Sequence, residues 1–284
     1  MLPSSTTNPT SFSYRKLFDV VAAHYEARII RAFGPYAASL VEWANPLPHE
    51  TLLDIGTGTG IAARLAAAHA QRVIGLDFSI AMLQSAQSAA SNLVFIQADA
   101  HALPFVDSSF DLVIASFGFN ATRPHKSLKE SFRVLKPGGR LVFQEWGGLH
   151  EFDQLVGEVI APYTVEDNDA PPELVALRDF LDADRVWHED LQVEEDYQEF
   201  LDILGFVNIT TREFAPLKLR LSVEDFIDYK TAWTSQLYEF AAMSPSVQRA
   251  YLAELENRLY RHADEDGILT YDPLMFRVMA YRAG

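Results

Sequence analysis

The 284-residue sequence predicts an α/β protein built on a doubly wound parallel sheet. Three observations carry that prediction. The first is Thr51–Gly60, T-L-L-D-I-G-T-G-T-G, in which an apolar strand end meets a run of glycines and then the helix former I-A-A-R-L-A-A-A-H-A. The second is the alternation of short apolar runs with helical segments from Thr51 to Trp146, the rhythm of a parallel sheet. The third is an acid closing each of three successive strands: Asp54, Asp77 and Asp99. Such sheets bind ligands beyond the C-terminal ends of their strands.

Apolar residues at helical spacing in Tyr14–Ala44 predict two helices, broken at Gly34-Pro35. Strands follow at Thr51–Ile55, Arg72–Leu76, Leu93–Gln97, Phe110–Ala115 and, after the Lys136-Pro137-Gly138-Gly139 turn, Arg140–Gln144. Helices between them are expected from about Gly60 to Ala70, Ile80 to Ala90 and Ser127 to Leu135. Gly147–Leu191 is acidic and reads as a helical insertion with a loop, followed by a helix over Glu194–Leu204 that Gly205 closes. Phe206–Arg220 reads as a strand pair or one long strand. Two helices follow, Ser222–Met243 and Pro245–His262, with Ser222 and Ser244 as N-caps and Pro245 at the first helical position. Leu274–Tyr281 is a final strand. The expected organisation is a helical cap over 1–45, a core over 46–147, a helical insertion over 148–204, and the last strands over 205–284 with a helical lid at 222–264.

Charge and residue usage narrow the partners. Lys and Arg number 23 against 39 Asp and Glu, a net charge of −16, which argues against nucleic acid and against an anionic membrane surface. There are no cysteines, which removes disulfides, thiolate metal sites and a Cys nucleophile, and fits a reducing cytoplasm. The eight histidines show no metal-ligand spacing. Met1–Ser13 is polar and rich in Ser, Thr and Pro, expected to be a frayed terminus and not a signal peptide. No apolar run approaches the roughly 20 residues of a membrane span.

The glycine turn alone is compatible with several ligands. Gly58, Gly60 and Ala63 satisfy the looser dinucleotide spacing G-x-G-x-x-A, so a nicotinamide- or flavin-dependent oxidoreductase is one reading. Asp77 would suit the ribose of such a ligand too, but Asp99 and the helical cap would have no role.

The words F-D-V-V-A-A-H-Y-E (Phe18–Glu26), L-L-D-I-G-T-G-T-G, G-L-D-F-S-I-A-M-L (Gly75–Leu83), A-D-A-H-A-L-P-F (Ala98–Phe105), D-S-S-F-D-L-V (Asp107–Val113) and F-R-V-L-K-P-G-G-R-L (Phe132–Leu141) run through this part of the chain. Together they resemble the class I S-adenosyl-L-methionine (SAM)-dependent methyltransferases of the ubiquinone/menaquinone-biosynthesis type. The resemblance implies a Rossmann-like seven-stranded sheet with the last strand antiparallel, SAM as cofactor, and methyl transfer to a small-molecule acceptor. It also implies roles for matching residues. Gly56, Thr57 and Gly58 would meet the methionyl part, with Asp54 ordering the turn near the ligand's ammonium. Asp77 would accept the ribose hydroxyls, Asp99 the adenine amino group, and the Ala100 N–H would serve a ring nitrogen. Phe78 and Met82 would pack on the adenine, or else belong to the core, since they share a helical face. Ser116 would lie near the methionyl chain, and Tyr25 would close over the same end.

The acceptor side is less determined. Methyl transfer from a sulfonium needs a general base only where the acceptor is not already nucleophilic. The acceptor-side candidates are Asn120 after the fourth strand and Glu145, Trp146 and His150 after the fifth, with Glu145 and His150 the ones that could serve as base. Tyr229, Trp233 and Tyr238 form an aromatic lid that reads as core or as acceptor pocket. A SAM-binding protein without transferase activity is the non-enzymatic alternative.

Overall fold

The computed structural model describes residues 12–86, 90–183, 191, 193–214 and 217–284. The expected frayed terminus over 1–11, the end of the helix predicted to reach Ala90 (87–89), part of the insertion (184–190) and the middle of the 206–220 strand region (215–216) lie outside the described residues.

Before the sheet come α1 (Tyr14–His24), a π-helical turn (Tyr25–Ile29) and α2 (Ile30–Ala44). The helix does not break at Gly34-Pro35 as the sequence suggests. Gly34 keeps out of the left-handed region, and Pro35 sits inside α2. Burial of Phe33, Tyr36 and Ala37 on the inner face outweighs the ~3 kcal/mol that an interior proline costs. The irregularity falls earlier, where the Ile30 N–H reaches back five residues to the Tyr25 carbonyl.

The alternating part then runs β1 (Thr51–Ile55), α3 (Ile61–Ala67), β2 (Arg72–Asp77), α4 (Ile80–Ser85), β3 (Leu93–Gln97), β4 (Phe110–Ser116), α5 (Pro124–Val134) and β5 (Leu135–Trp146). Strand β5 begins five residues before the predicted start: Leu135 already pairs with Phe110, and Lys136–Gly139 is a bulge in the ladder, not a turn before it. The rest is α6 (Glu151–Ile160), α7 (Pro172–Ala183), α8 (Glu194–Ile203), β6 (Phe206–Phe214), β7 (Leu219–Ser222), α9 (Val223–Thr231), α10 (Thr234–Ala242), α11 (Pro245–Tyr260), β8 (Ile268–Tyr271) and β9 (Met275–Arg282). The helix predicted over Ser222–Met243 is two helices, because Thr234, at the start of the second, takes a left-handed φ of 49°. Ser222 and Ser244 cap α9 and α11 as expected, accepting the Asp225 and Val247 N–H groups.

The sheet has seven strands in the order β3-β2-β1-β4-β5-β9-β6. The five strands on the β3 side are parallel, and β9 runs antiparallel between β5 and β6, as the seven-stranded Rossmann-like expectation requires. Strands β7 and β8 form a separate two-stranded sheet.

Side-chain alternation explains the layers. Leu52, Leu112, Ile114 and Val142 face one side and pack with Ala37, Leu40 and Ala63 of α2 and α3. Leu53, Val113, Ala115 and Phe143 face the other and pack with Leu128 of α5 and Tyr197 of α8. A third cluster joins α1, the start of α2, α6, α7 and the helices after β7. No helix among the described residues is long and apolar enough to cross a membrane.

Candidate functional site

The strand order reverses direction between β1 and β4, and ligands of open α/β sheets bind at that crevice. The loops that follow these two strands touch. Gly56, at φ 67°, lies so close to Gly118 that a Cβ on Gly56 would stand 2.3 Å from the Gly118 Cα. A Cβ on Gly118 would stand 1.9 Å from the Ile55 carbonyl oxygen. Gly58 is different: its φ of 55° demands glycine, but nothing lies within 4 Å of where its Cβ would be. Its backbone is open to a ligand.

Two carboxylates bind this turn from inside. Asp54, at 1% exposure, accepts the Thr57 hydroxyl at 2.6 Å and the Ala63 N–H at the start of α3. Burial drives its carboxyl up to about 7 against those two hydrogen bonds, with Asp77 adding to the rise. Asp77 accepts the Gly58 N–H at 2.8 Å and the Ser79 N–H at 2.9 Å. Burial lifts it to about 6, opposed by the N–H groups of Ser79, Gly58 and Phe78. Near neutral pH Asp77 is therefore mostly anionic whereas Asp54 is only partly so, and an ammonium brought beside Asp54 would draw out its anion.

The crevice holds two spaces. One of about 360 Å³ is lined by Asp77, Phe78, Asp99, Ala100 and Gly118. The other, about 40 Å³, is lined by Tyr25, Phe33, Asp54, Thr57, Gly58 and Ser116. Gly56 lines both, and the Asp77–Gly58 hydrogen bond crosses between them.

Ten of the eleven positions predicted to meet a cofactor thus gather around these two spaces. Met82 does not line either one. It is 2% exposed and packs in the cluster under the cap helices, its N–H held by the Ser79 hydroxyl. Asp99 stands on the rim with its side chain 60% exposed and accepts the His101 Nδ1–H at 2.9 Å.

Glu145 and His150 line neither space. Glu145 is 2% exposed and accepts the N–H groups of Phe119 and Asn120, so it holds the loop after β4, and burial raises its carboxyl well above the usual range. His150 is the N-cap of α6, accepting the Phe152 N–H at Nδ1 while Nε2 meets Asp272 at 3.2 Å.

Several contributors went unread in the sequence. His101 bridges Asp99 to the Arg123 N–H; it stood inside the A-D-A-H word and could have been found there. Asp19 of α1 accepts the Ser79 hydroxyl at 2.5 Å, tying the cap to the Asp77 loop, and nothing local announces it. Phe33 lines the smaller space and is surrounded by rings: Phe117 at 5.1 Å, Trp233 at 4.9 Å, Trp146 at 5.8 Å and Tyr229 at 5.9 Å. Phe117 and Trp146 stack at 4.3 Å. Of the aromatic lid residues, Tyr229 and Trp233 join this cluster, whereas Tyr238 packs on Phe12.

The strand order, the acids on consecutive strands and the glycine turn agree with the arrangement that the resemblance to class I SAM-dependent methyltransferases implies. Residues 53–143 match the profile of a methyltransferase domain, and SAM is the cofactor of this class. The chain is similar to methyltransferases named for demethylmenaquinone and for ubiquinone/menaquinone biosynthesis. It is 38% identical over 135 residues to the demethylmenaquinone methyltransferase of Renibacterium salmoninarum, covering 46% of this chain and 57% of that one. It is 40% identical over 121 residues to the ubiquinone/menaquinone biosynthesis C-methyltransferase UbiE of a Ruegeria species, covering 39% and 48%. The chain thus spans about half the length of the curated relatives it matches. Among solved structures, phosphoethanolamine N-methyltransferase 2 of Haemonchus contortus in complex with SAM matches with a TM-score of 0.58 at 19% identity, over 100% of this chain and 62% of that one. The YcgJ protein of Bacillus subtilis matches with a TM-score of 0.56 at 15% identity, over 88% and 99%. These two likenesses concern the fold. The dinucleotide-dependent alternative does not account for the domain match.

Proposed function

We propose that the protein transfers the methyl group of SAM to a small molecule bearing a planar ring, held in the aromatic cluster. The observation that carries this is the position of Phe33. It lines the space beside Asp54, Gly58 and Ser116, and it also touches the rings of Phe117, Trp146, Tyr229 and Trp233. A methyl group presented in that space would face aromatic surface, not bulk water.

In this reading Asp77 accepts the ribose hydroxyls, which needs an acceptor-only carboxylate. Asp99 and the Ala100 N–H take the adenine edge, and Phe78 covers its face. Asp54 and Thr57 set the glycine turn under the methionyl part, beside Ser116, with Tyr25 closing from the cap. Bound there, SAM supplies an electrophilic methyl carbon on a sulfonium. The surrounding rings favour that cation through their π faces and exclude water, so positioning and desolvation are the main contributions of the chain. Glu145 and His150 act in this account as structural groups, and the ring of the acceptor brings its own nucleophile.

The relatives named for demethylmenaquinone and for ubiquinone/menaquinone biosynthesis support a ring acceptor, and the net charge of −16 supports a small molecule over nucleic acid. The cap, core, insertion and lid inferred from the sequence would then divide the work between cofactor and acceptor.

Incubation with methyl-labelled SAM tests this, using demethylmenaquinol, a small-molecule extract, total RNA and a protein extract as acceptors. Label in the apolar small-molecule fraction is expected. Label on RNA or protein would contradict the acceptor class. SAM binding with no transfer to any of them would favour the non-catalytic alternative.

A further inference from the structure

The larger space of the crevice is walled by two loops that the sheet does not hold together. One follows β3 and carries Asp99, Ala100 and His101; the other follows β4 and carries Gly118, Ala121 and Thr122. Strands β3 and β4 are separated by β2 and β1, so they stand three strand spacings apart, roughly 14 Å. No backbone ladder therefore fixes one wall against the other. Farther along, Glu130 and Arg133 of α5 bind the backbone of Leu103 and Phe105, but none of these four residues lines the space.

At the space itself the tie is His101. Its Nε2 accepts the Arg123 N–H at 2.9 Å, just beyond Ala121 and Thr122. A ring nitrogen that accepts carries no proton, so the proton of the neutral imidazole is on Nδ1. Nδ1 stands 2.9 Å from Asp99 Oδ1, and the His101 backbone N–H reaches the same oxygen at 2.9 Å. One residue thus pins Asp99 Oδ1 with two donors. The other oxygen, Oδ2, has no hydrogen-bond partner among the described residues, and Asp99 lines the space.

We propose that His101 is a positioning residue that sets the base selectivity of this space. One arm of its ring fixes the Asp99 carboxylate so that Oδ2 accepts from the exocyclic amino group of a purine. The other arm holds the Ala121–Thr122 wall against the same base. A purine with a carbonyl in place of the amino group has no proton there to give to Oδ2, and is refused. This inference rests on reading Asp99 as the acceptor of the adenine amino group.

The test compares S-adenosylhomocysteine with S-inosylhomocysteine, which carries that carbonyl, by calorimetric titration of the full chain. The wild type is expected to bind S-adenosylhomocysteine about 20-fold tighter. His101→Phe loses both arms, and the preference should fall to about threefold or less. Two amide variants separate the arms. His101→Asn keeps an N–H donor near the Nδ1 position and should retain the wild-type preference, while both ligands weaken together by about threefold as the Arg123 contact is lost. His101→Gln keeps only an acceptor near the Nε2 position and should resemble His101→Phe in its preference. The readout is a ratio, so a general loss of stability does not move it.

A ratio unchanged in His101→Phe, or a preference that His101→Asn loses or that His101→Gln keeps, overturns the assignment while Asp99 retains its place. Asp99→Asn tests the reading beneath it, exchanging the acceptor for an amide with His101 intact, and should abolish the preference. A wild type without preference, or a preference that survives Asp99→Asn, removes Asp99 from the base and takes the assignment with it.

Discussion

The carboxylate of Asp77 accepts the Gly58 N–H at 2.8 Å, so the acid that closes β2 holds the glycine turn that follows β1. One residue thereby sets the shape of both spaces in the crevice. Asp77→Ala should weaken SAM binding by about 100-fold or more, because it removes the proposed ribose acceptor and frees the turn together. Asp77→Asn keeps the side chain's size but brings a donor where only an acceptor is wanted, and should lose nearly as much. Calorimetric titration of SAM into each variant checks this, and affinities within threefold of wild type would remove Asp77 from the ribose.

The glycines of the turn should separate folding from binding. Gly56→Ala places a Cβ 2.3 Å from the Gly118 Cα, backbone against backbone, and should destabilise the fold by about 3 kcal/mol or more. Gly58→Ala meets no atom within 4 Å and pays only for its left-handed φ, about 1–2 kcal/mol. It should fold, yet bind SAM poorly because its methyl group enters the ligand's space. Thermal midpoints and SAM titrations of the two variants would show this pattern; equal midpoints would contradict it.

Buried Asp54 and Asp77 make the ligand-free protein sensitive to pH. Their carboxyls sit at about 7 and about 6 in the fold against 3.8 for the ordinary side chain. The folded state therefore holds more protons than the unfolded one, and stability falls as pH rises from about 4 through about 7. Asp54→Asn keeps the Thr57 contact and loses the titration. It should match wild type near pH 4 and exceed it by on the order of 2–4 kcal/mol at pH 8. Denaturant midpoints across that range measure the difference, and a constant offset at all pH values would refute it.

A buried ion pair fastens α9 to α6. Lys230 of α9, 7% exposed, meets Asp153 of α6 and lies 4.4 Å from the centre of the Tyr229 ring. Burial pulls its ammonium down, but Tyr229 and Asp153 outweigh that and hold it above its ordinary value. Lys230→Met strands the Asp153 carboxylate and should cost about 3–5 kcal/mol. The thermal midpoint should fall by roughly 5–10 °C, and adding Asp153→Asn should restore part of it. A midpoint within a degree of wild type would show that the pair is not coupled to stability.

How much of this was legible in the sequence depended on distance along the chain. Asp54, the glycine turn and α3 form one continuous stretch, and the acids at Asp77 and Asp99 repeat its strand-end position, so the cofactor side could be read locally. The left-handed turns at Gly56 and Gly58 were visible for the same reason. The close approach of Gly118 was not, since it depends on β4 lying beside β1. Strand β8 was missed because four residues carry too little pattern, and its pairing with β7 makes it a strand. The Gly34-Pro35 signal was overridden by tertiary burial of α2. The aromatic cluster draws on α2, β4, β5 and α9, far apart in the chain, and only the folded arrangement unites them.

The most direct measurement of the central claim is a calorimetric titration of the full chain with S-adenosylhomocysteine and, separately, with NADH. The account predicts one S-adenosylhomocysteine site per chain with micromolar or tighter affinity, abolished by Asp77→Ala, and no heat from NADH. Binding of NADH with no response to S-adenosylhomocysteine would contradict it.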